Sequence, residues 1–373
     1  MEPGAVVVPP FAARPLRLAP FRALRLPPRR VGDPGTLRQL SRPPRVGLVS
    51  WRERTHVVQD AVPAVYLHEY AAGGLIVRGL VGALDVSRRA RSPQQRAILP
   101  HEGIKPVQAD DLADRMLELG LNPAPILLVH RAEPAARELV HRTMARPADH
   151  DFVDRAGQRH RVWAIHRPDQ LRQLDAALAE SQALIADGHH RYAAYLRLQG
   201  RHPGGSMDLG LAMLVDQTDT PLFLGPIHRC LIGVSLDDVA VAVEATGHRL
   251  ERTSKQQALS RLGPWGVAVT DGTDWASLSL QPGPSGDRAA VEVLHDDLLP
   301  ALPRGPQSID YLHSVEQTLR SVRRSRRVAL LMPAPEVDQV LRIAAAGRLL
   351  PAKATSFQPK PSVGVLIRSL TDN

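Results

Sequence analysis

A single cysteine, Cys230, occurs among 373 residues. No disulfide can close within the chain and no cysteine-based zinc site can be assembled from it, a usage that points to the reducing cytoplasm. Lysine is also scarce, standing only at positions 105, 255, 353 and 360. The 47 basic residues that outweigh 38 acidic ones, for a net charge of +9, are therefore nearly all arginine. Aromatic residues make up only 4%. No stretch approaches the roughly 18–20 consecutive apolar residues that span a bilayer. Prolines at 3, 9, 10, 15, 20, 27 and 28 interrupt the first thirty positions, which lack the apolar core of a signal peptide. A membrane is thus not an expected partner. The arginines are scattered and belong to no recognisable reading module, so nucleic acid is not expected either. Their excess favours small anions such as nucleotides and phosphorylated metabolites. Three enzyme signatures are missing as well: the Gly-x-Ser-x-Gly elbow of serine hydrolases, the glycine spacing of a Walker A loop, and the His-Glu-x-x-His of zinc proteases.

What is present suits a folded protein of two domains, with 43% hydrophobic residues and ample length for a core. The patterning predicts strands at Leu75–Val86, Ile126–Val129, Arg161–Ile165 and Leu209–Val215. It predicts helices at Asp110–Leu119, Pro134–Met144 and Asp169–Gln182. Ser235 opens a further helix, with Asp238 placed for a capping box. Three short strands are expected at Gly266–Thr270, Ala276–Leu280 and Ala290–Leu294, then a helix from Ile309 to Val322. A strand at Arg327–Met332, a helix at Pro335–Ala346 stopped by Gly347, and a last strand at Val363–Ser369 complete the reading. Strands and helices mix without regular alternation, so the fold class is α+β. The expected domains are 11–203 and 204–373.

The densest chemistry lies in Ala186-Asp187-Gly188-His189-His190-Arg191-Tyr192. An apolar run, Gln182–Ile185, leads in and a helix-like segment, Ala193–Leu198, leads out. The polar groups are thus expected where a strand ends and a helix starts. Unpaired amide groups and the positive end of the helix dipole make such a junction an anion site. Arg191 can grip a phosphate through two donors, and Gly188 lets a ligand approach the backbone. Either histidine can carry charge or a proton near neutral pH.

Three other groupings invite attention. His101-Glu102 offers an imidazole beside a carboxylate, suited to general-base work or to a cation. The loop Leu350–Lys360 carries Lys353, Thr355, Ser356 and Lys360, which suit a phosphate as charges and donors. His228-Arg229 follows Gly225-Pro226 and can line a pocket or simply end a strand. Asp310, Tyr311 and His313 are expected as capping or packing groups at a helix start, and Arg323–Arg327 as a solvated helix end.

In this order the segments resemble the family known as domain of unknown function 1015. The similarity runs through Pro20–Arg25, Val65–Tyr70, Arg78-Gly79, Leu99–Glu102 and the core Ile185–Tyr192. It continues through Pro226–Arg229 and Leu350-Pro351, Lys353, Thr355, Phe357 and Pro359-Lys360. The resemblance implies a relationship to the ParB/sulfiredoxin superfamily, in which a Gly-x-x-Arg box holds nucleotide phosphates; Gly188-His189-His190-Arg191 has that form. It also implies kinship with free-serine kinases, and so a nucleotide-dependent phosphotransferase with a small hydroxyl substrate. On that reading the amino-terminal domain is ParB/sulfiredoxin-like and a second α+β domain follows. ATP or ADP with Mg²⁺ would be the cofactor. Gly188, His190, Arg191, Lys353, Thr355 and Lys360 would bind nucleotide, while His101, Glu102, Asp187, His189 and His190 would carry the chemistry. His228, Arg229 and Tyr192 are further pocket candidates. No metal ligand set is assigned. The sequence departs from the family pattern at Pro43-Pro44-Arg45-Val46, where Pro-Pro-Tyr-Asp is usual, at Ile104 in place of Thr, and at Ala354 in place of Ser. These departures leave two alternatives open, a nucleotide-binding regulator without turnover and a phosphate or nucleotide hydrolase.

Overall fold

The computed structural model describes residues 6–36, 57–283, 286–322 and 326–371. It divides into two compact units. One comprises residues up to Leu222 together with the segment from Pro359 onward; the other is continuous from Phe223 to Gln358. The boundary expected after residue 203 thus falls ahead of the strand Leu209–Asp216, which is built into the sheet of the first unit. Several sheets combine with helices of three to four turns, the α+β class. No helix among the described residues is long and apolar enough to cross a membrane.

The main sheet of the first unit is mixed. Its strands run in the order Ile98–Leu99, Ala183–Asp187, Ile126–His130, Leu209–Asp216, Leu75–Asp85, Val65–Ala72, Arg159–Ile165 and His150–Val153, with Leu18–Ala19 added to Leu75–Asp85. Leu209–Asp216 joins its two halves, parallel to Ile126–His130 and antiparallel to Leu75–Asp85. The central strands read as nearly continuous apolar runs because both of their faces are covered. Leu67, Leu80, Leu128, Ile185, Tyr192, Tyr195 and Leu214 belong to one buried core. Gly210 is required there: a Cβ at this position would lie 2.1 Å from the Tyr195 ring. The helix Pro106–Leu119 packs beside the helix His189–Arg201. Ala109 meets Ala193 and Ile104 in a small apolar cluster, and Arg197 and Arg201 pair with Asp110 at 3.0 and 3.1 Å.

The second unit is built on an antiparallel sheet ordered Arg249–Thr253, Trp275–Ser279, Gly266–Thr270, Arg327–Leu331, His228–Ile232 and Ser308–Leu312. The capping box appears as expected. Ser235 Oγ accepts from the Asp238 amide at 3.1 Å, and Asp238 accepts in return from the Ser235 amide at 2.9 Å. Gly347 ends the helix Val337–Ala345 one residue past its cap, with φ of 77°.

Two expectations fail here. Ala290–Leu294 is no strand: Ala290–Val293 is helical and runs into a wider turn, Leu294–Leu298. Its branched residues suggest a strand, but Val291, Leu294 and Leu298 are buried at helical spacing, and Glu292 holds the Ala289 amide at 2.7 Å. Likewise Ser308–Leu312 is an edge strand paired with His228–Ile232, and the helix begins only after Ser314, which caps the Gln317 amide. Asp310 and Tyr311 therefore stand on a strand rather than at a helix start. Of the basic run, residues 323–325 lie outside the described residues; Arg327 reaches Asp310 at 3.6 Å.

Candidate functional site

The strand Ala183–Asp187 is buried over its first four residues, between Ile98–Leu99 and Ile126–His130. It delivers the chain to Gly188, the N-cap of the helix His189–Arg201. Gly188 takes φ of 99°, left-handed backbone that other residues resist. A Cβ there would also stand 2.9 Å from Ile126 Cγ2 and 3.1 Å from an Arg191 nitrogen. The first bond within the helix is from the Tyr192 amide to the Gly188 carbonyl, 2.8 Å. No side chain caps this helix start, and its first turn carries no acid. A strand end, a left-handed glycine and an uncapped helix start thus coincide as the sequence suggested.

The two richest sequence clusters meet at this point. The backbone amide of His101 donates to His189 Nε2 at 3.3 Å, and that of Lys105 donates to His190 Nε2 at 3.2 Å. The segment 101–105 is thereby fastened to both imidazoles. Accepting at Nε2 places the proton of neutral His189 on Nδ1, which stands 4.0 Å from Glu102 Oε2. The His101 and His189 rings meet edge to face, with centroids 4.6 Å apart. Burial, with His190 adding to it, pushes His189 down to about 3; burial and the neighbouring His189 hold His101 well below the usual imidazole range. Burial therefore favours the neutral form of both rings, and His189 acts here as a hydrogen-bonding group.

Asp187 sits between two cations. Lys360 Nζ lies 2.5 Å from Oδ1, and Arg191 donates to Oδ2. The same guanidinium donates to the carbonyl of Pro125 and, at 3.4 Å, to that of Ala124. Arg191 therefore ties the helix start to the entrance of Ile126–His130. Asp187 takes Lys360 and Arg191 as its side-chain partners.

The other anticipated residues take varied places. Tyr192 is fully buried and faces away from the helix start; its hydroxyl accepts from the Ala12 amide at 2.8 Å and donates to the Pro10 carbonyl at 2.9 Å. It holds the amino-terminal segment against the core. Lys353, Thr355, His228 and Arg229 belong to the second unit, Lys360 to the first. Ile104 is buried in the apolar cluster, and Ala354 is buried in the second unit. Arg45 and Val46 lie outside the described residues. Among the described residues no trio of His, Cys, Asp or Glu side chains is grouped to hold a metal ion.

Two polar features escaped the sequence reading. Glu69 faces Arg78 and Arg161 directly across the sheet, with nitrogens 2.5 and 2.7 Å away. Opposite charges on neighbouring strands were the available signal, but the register that joins them was not. His130 and Asp216 end two parallel strands side by side. His130 is pushed down to about 4 by burial, against the pull of Asp216.

Among solved structures, a free serine kinase in complex with AMP is 14% identical with a TM-score of 0.40, covering 72% of this chain and 88% of that one. A mutant free serine kinase in complex with ADP is 13% identical at a TM-score of 0.40, covering 72% and 89%. SbnI with a C-terminal truncation from Staphylococcus aureus is 12% identical at a TM-score of 0.43, covering 74% and 87%. No curated protein matches the chain. Residues 45–295 match the family model described as "Protein of unknown function (DUF1015)", and the chain belongs to that family.

Proposed function

We propose that this protein transfers a phosphoryl group from ATP or ADP to the hydroxyl of a small molecule such as free serine. The observation that carries the reading is the uncapped helix start at Gly188, preceded by Asp187 with its cations Arg191 and Lys360 and followed by His189, which stands 4.0 Å from Glu102. Phosphoryl transfer needs positioning and charge stabilisation more than covalent chemistry, and these groups supply both.

A bound nucleotide would supply the phosphoryl group. In the reaction proposed, the acceptor hydroxyl oxygen bonds to the terminal phosphorus as the bridging P–O bond breaks. The hydroxyl proton passes to the Glu102 carboxylate. Glu102 keeps 22% of its side chain exposed, so it remains accessible to a substrate. Through their hydrogen bonds to the 101–105 backbone, His189 and His190 fix the position of that base relative to the helix start. Gly188 lets the Arg191 guanidinium stand close against the backbone at the helix start, and half-exposed Lys360 adds positive charge. The described residues form no dedicated cation cage, so Mg²⁺ would enter on the nucleotide phosphates, and no step is assigned to it.

The second reading, nucleotide binding without turnover, draws support from Asp187. Its carboxylate is neutralised by Lys360 and Arg191, and Ile104 fills its own place with apolar packing. Phosphorus NMR on the purified chain with Mg²⁺ and ATP or ADP, with and without L-serine, separates these readings. Phosphoserine supports the transferase. Binding by calorimetry without consumption supports the regulator, and free phosphate without an acceptor supports a hydrolase. Nucleotide binding unchanged by Arg191→Ala would show that the phosphates are held elsewhere.

A further inference from the structure

Three buried polar groups of the first unit take no part in the reaction proposed at Gly188. His68 Nε2 lies 3.0 Å from His160 Nδ1, and His160 Nε2 lies 3.2 Å from Asp154 Oδ2. Asp154 also accepts from the Gln158 amide at 2.8 Å and from Ser362 Oγ at 2.6 Å. Burial alone would raise the Asp154 carboxyl, but the bonds from Ser362, His160 and the Gln158 amide outweigh it and hold the group below the usual carboxylate range. An ionised Asp154 can only accept, which makes His160 Nε2 the donor. Gly32 leaves room for this cluster: a Cβ there would stand 3.2 Å from Asp154 Oδ2 and 3.5 Å from Ser362 Oγ.

Ser362 closes the segment Pro359-Lys360-Pro361-Ser362. At the other end of that segment the Pro359 carbonyl accepts from the buried Tyr70 hydroxyl at 2.7 Å. Between the two attachments stands Lys360, 2.5 Å from Asp187 Oδ1. Both prolines lock their own φ, and Pro361 disfavours helical backbone at Lys360. A segment this stiff, held at both ends, leaves its lysine few alternative positions. Tyr70 on Val65–Ala72 stands in register with His160 on Arg159–Ile165, so one sheet carries both attachments.

We propose, on the reading that the Gly188 helix start holds a nucleotide, that Tyr70 and Asp154 are positioning residues that keep Lys360 beside Asp187, where its ammonium meets the nucleotide phosphates. His160 orients the Asp154 carboxylate, and His68 orients His160. All four act through Lys360 rather than on the reacting atoms. A free lysine side chain loses much rotamer freedom when it engages a phosphate. Fixing its backbone and pairing it with Asp187 meets part of that loss before the nucleotide arrives.

Tyr70→Phe and Ser362→Ala each remove one hydroxyl and with it one attachment. In the full chain carrying both substitutions, labelling by acetic anhydride, read by mass spectrometry, is expected to rise about threefold at Lys360. Lys105, Lys255 and Lys353 are expected to stay unchanged. No rise at Lys360, or an equal rise at all four lysines, overturns the proposal. By calorimetry the double variant is expected to bind ADP about fivefold more weakly than wild type, with no further loss in a Lys360→Ala background. ADP affinity that is unchanged in the double variant, or that falls as much when Lys360 is absent, also overturns it. A wild-type chain that binds no ADP removes the nucleotide reading, and the labelling alone then decides whether Tyr70 and Asp154 hold Lys360.

Discussion

Lys360 reaches across 173 positions of sequence to place its ammonium 2.5 Å from the Asp187 carboxylate, at the mouth of the uncapped helix start. Half of the lysine side chain is exposed, so the pair itself contributes about 1 kcal/mol or less. Lys360→Ala should therefore shift the melting temperature by no more than about 4 °C. Loss of the charge should weaken ADP binding about tenfold by calorimetry. Unchanged ADP affinity would remove Lys360 from the nucleotide site.

Gly188→Ala should destabilise the first unit by about 1–3 kcal/mol, from left-handed backbone combined with crowding against Ile126. Gly157 makes a useful control: its φ is 83°, but a Cβ there meets nothing within 4 Å. Urea unfolding of both variants separates backbone strain from collision, and equal losses would remove the collision from the account.

The buried histidines predict acid sensitivity. His68 and His189 are pushed down to about 3, and His130, His228 and His295 to about 4, chiefly by burial. Free imidazole titrates near 6.5, so below that pH the unfolded chain takes up protons that the folded chain refuses. Stability is full above pH 6.5 and falls toward pH 4, by roughly 1.4 kcal/mol per pH unit for each such histidine. Urea midpoints between pH 7.5 and 5 check this. A flat profile would mean that these rings are hydrated in the folded protein.

Ser235→Ala removes the hydroxyl that holds the Asp238 amide, and should cost the second unit about 1 kcal/mol. Denaturant unfolding followed by a probe in that unit reads the loss. No change would show that Asp238 alone secures the helix start.

Local chemistry was legible in the sequence wherever neighbours along the chain decide the outcome. The Ala183–Asp187 strand, Gly188 and the following helix were visible because an apolar run, a glycine and helix-forming residues occur in succession. The Ser235–Asp238 box was visible for the same reason. Distant partners overruled local pattern elsewhere. Ile309 and its neighbours look helical until they pair with His228–Ile232, and Val291 looks extended until Leu294 and Leu298 join it in the core. At the site, the meeting of His101-Glu102 with His189 was anticipated only as a shared role. What each polar group touches was hidden: Asp187 takes a lysine from the far end of the chain, and Tyr192 turns inward to Pro10.

The path of the chain sets an order of assembly. In the first unit, Ile367–Ser369 stands between Ala23–Arg25 and Leu121–Asn122, and buried Arg368 donates to Asn122 and Leu209 at 2.9 Å and to Ser206 at 2.6 Å. During synthesis the second unit, continuous from Phe223 to Gln358, can close as soon as its own residues emerge. In the first unit Ala23–Arg25 and Leu121–Asn122 lack the strand between them until Ile367–Ser369 has been added. A stop codon shortly after residue 358 would spare the later-made unit and cripple the earlier one.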